Sequence, residues 1–151
     1  MQELDAEQAA RRANMAALAA ARADDIAALW REFADKPEFE TVRGPETGLV
    51  MVRGRAGGGG APFNLGEATV TRATVRLATG EVGHSYALGR DNEKVRTAAV
   101  LDALWQRPAE RSRIEALVAG LAAKADATDR KRREETAATR VDFFTMVRGD
   151  D

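Results

Sequence analysis

The pattern of hydrophobic and polar positions changes twice along this chain of 151 residues. Residues 1–36 are rich in alanine and carry larger apolar side chains at helical spacing, and Asp24 or Asp25 can cap a second helix there. Residues 37–90 alternate with a period of two, which is typical of strands. Residues 91–139 return to helical spacing. The pattern therefore predicts an α+β fold, with helices on both sides of a sheet in the chain order.

The strand-forming region predicts a four-stranded antiparallel sheet in which consecutive strands are neighbours, a meander. Residues 44–48 are predicted to form the turn of the first hairpin, residues 57–60 a flexible glycine loop, and residues 79–81 the turn of the last hairpin. The helix after the sheet is predicted to begin with a cap at Asp91. The four strands are predicted over residues 39–43, 48–54, 67–77 and 82–88.

The end of the chain is apolar, although chain termini are usually polar and frayed. Residues 122–139 are helix-forming but polar all round, so they predict a solvent-facing rod that leads to this end. Because an apolar terminus is costly to leave in water, residues 140–151 are predicted to be an extended docking tail of a single domain, 1–151. The predicted docking residues are Arg140, Val141, Phe143, Phe144, Met146, Val147 and Arg148.

Composition limits the partners and the chemistry. The net charge is -1, from 23 basic and 24 acidic residues, so no overall field draws the chain to nucleic acid or to a membrane surface. There is no cysteine and a single histidine, His84, which argues against thiolate catalysis and multi-histidine metal sites. The sequence contains neither a transmembrane stretch nor a signal peptide, so a cytoplasmic location is expected. No catalytic residue and no metal ligand are predicted.

Arginines recur near the ends of the predicted strands. A guanidinium group binds phosphate or carboxylate with two parallel hydrogen bonds, so a group of such side chains could clamp an anion. The alternative is a solvated surface with ordinary ion pairs, and spacing alone does not decide between the two. The candidates for anion contact are Arg43, Arg72, Arg76 and Arg90.

Four segments stand in the same order and at similar spacing as in a known family. They are residues 43–50, 66–77, 89–91 and 140–150. Together they resemble the PhnG family, the G subunit of the bacterial carbon-phosphorus lyase core complex, and the resemblance covers about residues 38–150. The first 36 residues are similar in character rather than in detail, and His84 stands where an aromatic residue is expected.

The resemblance implies an accessory subunit of a cytoplasmic assembly with H, I and J subunits, two copies of each, and the I subunit is the expected direct contact. The complex is expected to convert ATP and an alkylphosphonate to a ribose 1-phosphonate 5-triphosphate, with the catalytic residues on partner subunits. It implies no cofactor on this chain alone; the complex uses ATP, and the J subunit holds an iron-sulfur cluster and uses S-adenosylmethionine. The absence of cysteine agrees with that division.

Two other interpretations stay open at this point. The chain could be an independent protein that binds a phosphate ester or nucleotide through its arginines. It could also be a self-contained homodimer whose tail packs on its twin.

If Phe143, Phe144 and Met146 are the anchors of the tail, each contributes roughly 1.5 to 3 kcal/mol when buried.

Overall fold

The computed structural model of the chain describes residues 5–139. Their elements follow the order helix, helix, three strands, helix, helix. The strands form one antiparallel sheet in the order β1-β2-β3, so the fold is α+β. The elements are α1 (Ala6–Ala20), α2 (Ala23–Glu32), β1 (Phe39–Arg55), β2 (Pro62–Leu77), β3 (Val82–Leu88), α3 (Asn92–Trp105) and α4 (Pro108–Ala138).

The prediction of four strands was wrong, because the first two predicted strands are one continuous strand, β1. The expected turn at residues 44–48 is an irregularity inside it: Arg43 pairs with Thr74 and Glu46 with Arg72, and the residues between them have no partner in the register. Gly44 makes this possible, because its φ is +68° and a Cβ there would lie 2.6 Å from the carbonyl oxygen of Arg72. The Gly-Pro sequence thus bends a strand and does not reverse it.

The two long strands extend beyond the third. Strand β3 pairs with Val70–Arg76 of β2 only, whereas β1 pairs with β2 along its whole length. The remaining parts of β1 and β2 form a two-stranded ribbon, residues 48–69. The ribbon begins at the pair formed by Gly48 and Val70, where β3 ends. A short 3-10 turn, Ala56–Gly58, closes its tip at the predicted glycine loop.

Helix α3 lies between the sheet and the other helices, and it is buried along nearly its whole length. The predicted alternation of β2 is confirmed, since Ala73, Val75 and Leu77 face the core and are at most 2% exposed. The backbones of β3 and α3 lie so close together at Gly83 that a Cβ on this residue would be 1.9 Å from the carbonyl oxygen of Ala99. The body of the protein is therefore a close-packed layer of helices on one face of the sheet.

The ends of the helices agree with the sequence at some positions and not at others. Two N-terminal helices are present as predicted. The N-cap of α2 is Arg22, however, and neither Asp24 nor Asp25 caps the helix with its side chain. The predicted cap of α3 is confirmed, because the Asp91 carboxylate accepts a hydrogen bond from the Lys94 amide at 2.8 Å. Helix α4 passes through Gly120 and continues to Ala138, with its second half largely exposed, as the rod prediction requires.

A buried carboxylate joins three elements of the body. Asp102 of α3 is fully buried and accepts two hydrogen bonds from the Arg11 guanidinium of α1, at 3.0 and 2.8 Å. It also accepts one from the backbone amide of His84 in β3, at 2.9 Å. The pKa of Arg11 is raised by its hydrogen bonds to Asp102. This contact fixes α1 against the helix-sheet layer.

Candidate functional site

Two of the four predicted anion-contact arginines meet on the open face of the sheet, the face away from α3. The Arg72 and Arg43 guanidinium groups donate to the same Glu46 carboxylate oxygen, at 2.6 and 2.7 Å. The hydrogen bond from Arg72, followed by the one from Arg43, lowers the pKa of Glu46. The register shift at Gly44 places these three side chains together, because it brings Glu46 opposite Arg72. This arginine pair already holds a carboxylate of its own chain.

The other two arginines lie apart from that pair. Arg76 donates to Glu40 at 3.0 Å, further along the same face. Arg90 lies in the turn between β3 and α3, and within residues 5–139 it forms no ion pair. An anion at Arg43 and Arg72 would have to displace Glu46, so the anion clamp stays a prediction.

The only histidine of the chain, His84, lies on the open face of the sheet. Its Nδ1 is 3.1 Å from the Thr74 hydroxyl, and its ring is exposed. Asp102 accepts a hydrogen bond from the backbone amide of His84 and not from its ring. Among the residues that the structure describes, no three His, Cys, Asp or Glu side chains come close enough to hold a metal ion.

A cleft lies between α2 and the start of α3, lined by Trp30, Arg31, Asp91 and Lys94. Lys94 is engaged, because its ammonium group donates to the carbonyl oxygen of Ala19 at 2.7 Å, near the end of α1. Burial lowers the pKa of Lys94, while the neighbouring Asp91 opposes the shift. The cleft thus carries mixed charges, and its lysine connects two helices.

The most unusual surface of the molecule is apolar and lies on the sheet. This surface was not predicted, although the uninterrupted apolar run from Leu49 to Val52 was a signal, since a strand with one buried face should alternate. Exposed apolar residues in such numbers usually mark a site for binding another protein or a membrane. The large exposed residues of the ribbon and of the adjoining end of β3 are Leu49, Met51, Val52, Phe63, Leu65, Tyr86 and Leu88.

The predicted docking tail, residues 140–151, lies outside the described part of the chain. All seven predicted docking residues from Arg140 to Arg148 therefore stay predictions. Of the helices in residues 5–139, none is both long enough and apolar enough to cross a membrane.

The fold and surface define a class: a small α+β protein with an exposed apolar sheet surface suited to contact with another protein chain. The chain belongs to the PhnG family, since the family model described as "Phosphonate metabolism protein PhnG" matches residues 9–149. The match includes α1 from residue 9 onward and all of α2, so it extends further towards the N-terminus than the four segments that resemble the family.

A relative from Rhizobium meliloti (strain 1021) is similar along nearly the whole chain. It is named alpha-D-ribose 1-methylphosphonate 5-triphosphate synthase subunit PhnG. The two sequences are 61% identical over 147 residues, which cover 97% of this chain and 94% of the relative. The resemblance to the PhnG family is thus confirmed.

Proposed function

We propose that this chain is a subunit of a ribose 1-methylphosphonate 5-triphosphate synthase and that its contribution is to bind and position other subunits. The observation that carries the proposal is the exposed apolar surface of the sheet, in a chain 61% identical to a protein with that subunit name. Apolar surface of this kind is typically covered by a partner in the assembled state. Catalytic residues belong, in this proposal, to the other subunits.

The proposed partners are the H, I and J subunits of a carbon-phosphorus lyase core complex, with two copies of each and with the I subunit in direct contact. The proposed reaction of the complex uses ATP and an alkylphosphonate, forms a ribose 1-phosphonate 5-triphosphate and releases adenine. What supports a role for several subunits is the relative's name, which calls it one subunit of a synthase.

The cofactors of the complex are assigned to partners in this proposal. An iron-sulfur cluster is held by cysteine thiolates, and this chain has no cysteine, which supports placing the cluster and S-adenosylmethionine on the J subunit. No cofactor is proposed for this chain alone.

A genetic and a biochemical experiment together test the function. A bacterium that lacks its own PhnG-family gene should grow on methylphosphonate as the sole phosphorus source when it receives this chain. The tagged chain, co-expressed with the H, I and J subunits, should recover them on an affinity column. Failure of both, with the chain expressed and folded, would refute the proposal.

The two other interpretations give different results with the isolated chain. An independent nucleotide or phosphate-ester binder would release or absorb heat in calorimetry with ATP or methylphosphonate, and Arg72→Met would abolish that signal. A self-contained homodimer would have twice the mass of the chain in light scattering.

Removal of residues 140–151 should abolish recovery of the I subunit if the tail is an anchor, and unchanged recovery would refute that role.

A further inference from the structure

The ribbon, residues 48–69, carries apolar side chains on both of its faces. By the alternation of β1, Leu49 and Met51 lie on one face, where they are 60% and 52% exposed. On the other face Val52 is 42% exposed and Leu65 is 64% exposed. Leu65 crosses over Gly54, since a Cβ on Gly54 would lie 2.0 Å from its Cδ1. A protein that covered one face alone would leave the other apolar face in water.

Apart from the Thr69 carbonyl oxygen, which accepts from the Gly89 amide, both long edges of the ribbon are also unpaired. Within the described residues, β1 is the outer strand of the sheet, and β3 leaves the other edge of β2 at Val70. The ribbon therefore presents backbone amides and carbonyls on two sides, next to exposed apolar side chains. Such edges aggregate or pair with other strands unless they are covered. This second feature again indicates enclosure and not contact along one side.

The tip of the ribbon is positively charged, although the chain as a whole has a net charge of -1. Arg53 and Arg55 are the only charged residues between Gly48 and Gly66, and the one acidic residue of the ribbon, Glu67, lies opposite Met51 towards its base. The Arg55 guanidinium donates to the carbonyl oxygen of Gly60 at 3.2 Å, and neither arginine forms an ion pair within the described part of the chain. The tip thus fits an acidic environment.

The size of the ribbon also favours enclosure. Its strand from Gly48 to Arg55 has eight residues and is about 26 Å long, at about 3.3 Å per residue. Two strands about 4.8 Å apart give each face on the order of 250 to 300 Å². One side of a stable interface typically buries about 800 Å², so both faces and both edges are needed to approach it.

We infer that the ribbon inserts into an apolar cleft of another subunit of the synthase, and that acidic side chains at the inner end of this cleft receive Arg53 and Arg55. This inference rests on the proposed function, because it takes the partner from the same assembly. It assigns the main contact to residues 48–69, in addition to any contact made by the C-terminal tail. The ribbon then acts as an arm that the body holds in place.

Co-purification tests the inference with matched variants. The tagged full-length chain is co-expressed with the H, I and J subunits, carrying Met51→Glu, Leu65→Glu or, as a control on the same strand, Val42→Glu. Met51 and Val42 are similarly exposed, at 52% and 48%, but only Met51 belongs to the ribbon. Each ribbon variant should recover at least tenfold less of the other subunits than the wild type, and the control should match the wild type.

The outcomes separate this inference from the proposed function. If the wild-type chain recovers no other subunit, the proposed function is wrong, and the inference falls with it. If the wild type assembles and both ribbon variants assemble equally well, only the inference is overturned. Equal loss in the Val42→Glu control would also overturn it, since the effect would not depend on the ribbon.

Photo-crosslinking in the assembled complex tests the same contact without introducing a charged side chain into the ribbon. With p-benzoylphenylalanine in place of Met51 or Leu65, irradiation should join this chain to another subunit, whereas the same group in place of Val42 should not. An adduct between two copies of this chain, or no adduct from either ribbon position, would overturn the inference. Mapping the joined peptide then reports whether the cleft is apolar with acidic residues at its end.

The charge of the tip has its own test in the same assay. Arg53→Glu and Arg55→Glu together should weaken recovery of the other subunits about tenfold, and replacement of both arginines by lysine should restore most of it. Recovery that is unaffected by the glutamate pair would refute the acidic end of the cleft.

Discussion

Strand β2 has two halves with similar side chains in different surroundings. At its C-terminal end, Val75 and Leu77 are 0% and 2% exposed beneath α3. At its N-terminal end, Phe63 and Leu65 are 47% and 64% exposed in the ribbon. The same strand thus supplies core residues in the body and surface residues in the ribbon.

The two halves of β2 show that an apolar pattern specifies a strand but not which element covers it. In the body, the covering element is α3 of the same chain, and burial of Leu77 contributes to folding. In the ribbon, the corresponding area stays available for another chain. Folding stability should therefore depend on one half of the sheet and assembly on the other, which mutations can test.

The largest effect on stability is expected at the buried carboxylate of the body. Asp102→Ala leaves the His84 amide without its acceptor and leaves the Arg11 guanidinium only the Val82 carbonyl oxygen, at 3.3 Å. Removing one partner of a buried ion pair typically costs about 3 to 5 kcal/mol, and the 30% exposure of Arg11 places this pair at the lower end. The free energy of unfolding, from denaturant titration, should fall by that order.

An exposed ion pair of the same type is the control for Asp102. Arg22 and Asp24 are 3.7 Å apart with side chains 67% and 92% exposed, so Asp24→Ala should change stability by less than about 0.5 kcal/mol. Equal effects of the two substitutions would contradict the role of burial.

The comparison between the halves of β2 is tested directly by truncating one leucine in each. Leu77→Ala opens a cavity beneath α3 and should cost about 2 to 5 kcal/mol. Leu65→Ala removes an exposed side chain and should change the free energy of unfolding by less than about 0.5 kcal/mol. A large loss of stability for Leu65→Ala would show that the ribbon contributes to folding, and the separation proposed above would then be wrong.

Two glycines of the sheet provide a smaller test of the same comparison. Gly83→Ala places a Cβ 1.9 Å from the Ala99 carbonyl oxygen, so β3 and α3 must move apart. Overpacking of this kind typically costs about 1 to 3 kcal/mol. Gly48→Ala, at the base of the ribbon, meets no atom within 4 Å and should leave the melting temperature nearly unchanged. A similar loss at both positions would contradict the difference in packing.

The sequence predicted the elements that depend on local pattern. The alternation before Leu77 predicted a strand with two different faces, and Asp91 predicted the start of α3, because both signals involve near neighbours. Gly44 and Pro45 predicted a turn, and the prediction failed because β2 is long enough to pair with β1 on both sides of them. Local residues do not determine how far a distant strand extends.

The candidate surfaces were less predictable for the same reason. Asp102 follows a helical pattern, but its partner Arg11 is 91 residues away in the sequence, and no spacing connects the two. The grouping of Arg43 with Arg72 also depends on the register shift between β1 and β2. The apolar run from Leu49 to Val52 does not alternate as a strand with one buried face does, yet only the extent of α3 shows that side chains on both faces stay exposed.

The smallest expected effect lies at the boundary between body and ribbon, where Glu46 accepts from Arg72 and Arg43. These hydrogen bonds, the one from Arg72 first, hold the pKa of Glu46 below its ordinary value of 4.5. Because the folded pKa is lowered, the contribution of Glu46 to stability is present above about pH 4.5 and is lost as the pH falls through the folded pKa.

Carboxyl NMR titration measures this shift. Arg72→Met should move the pKa of Glu46 back towards 4.5 by more than Arg43→Met does. The melting temperature of Glu46→Gln should depend less on pH than that of the wild type as the pH falls below about 4.5, although the difference is small because the side chain is 44% exposed. If neither arginine affects the titration of Glu46, the group is not a fixed contact in solution, and the two arginines are then free to bind an external anion.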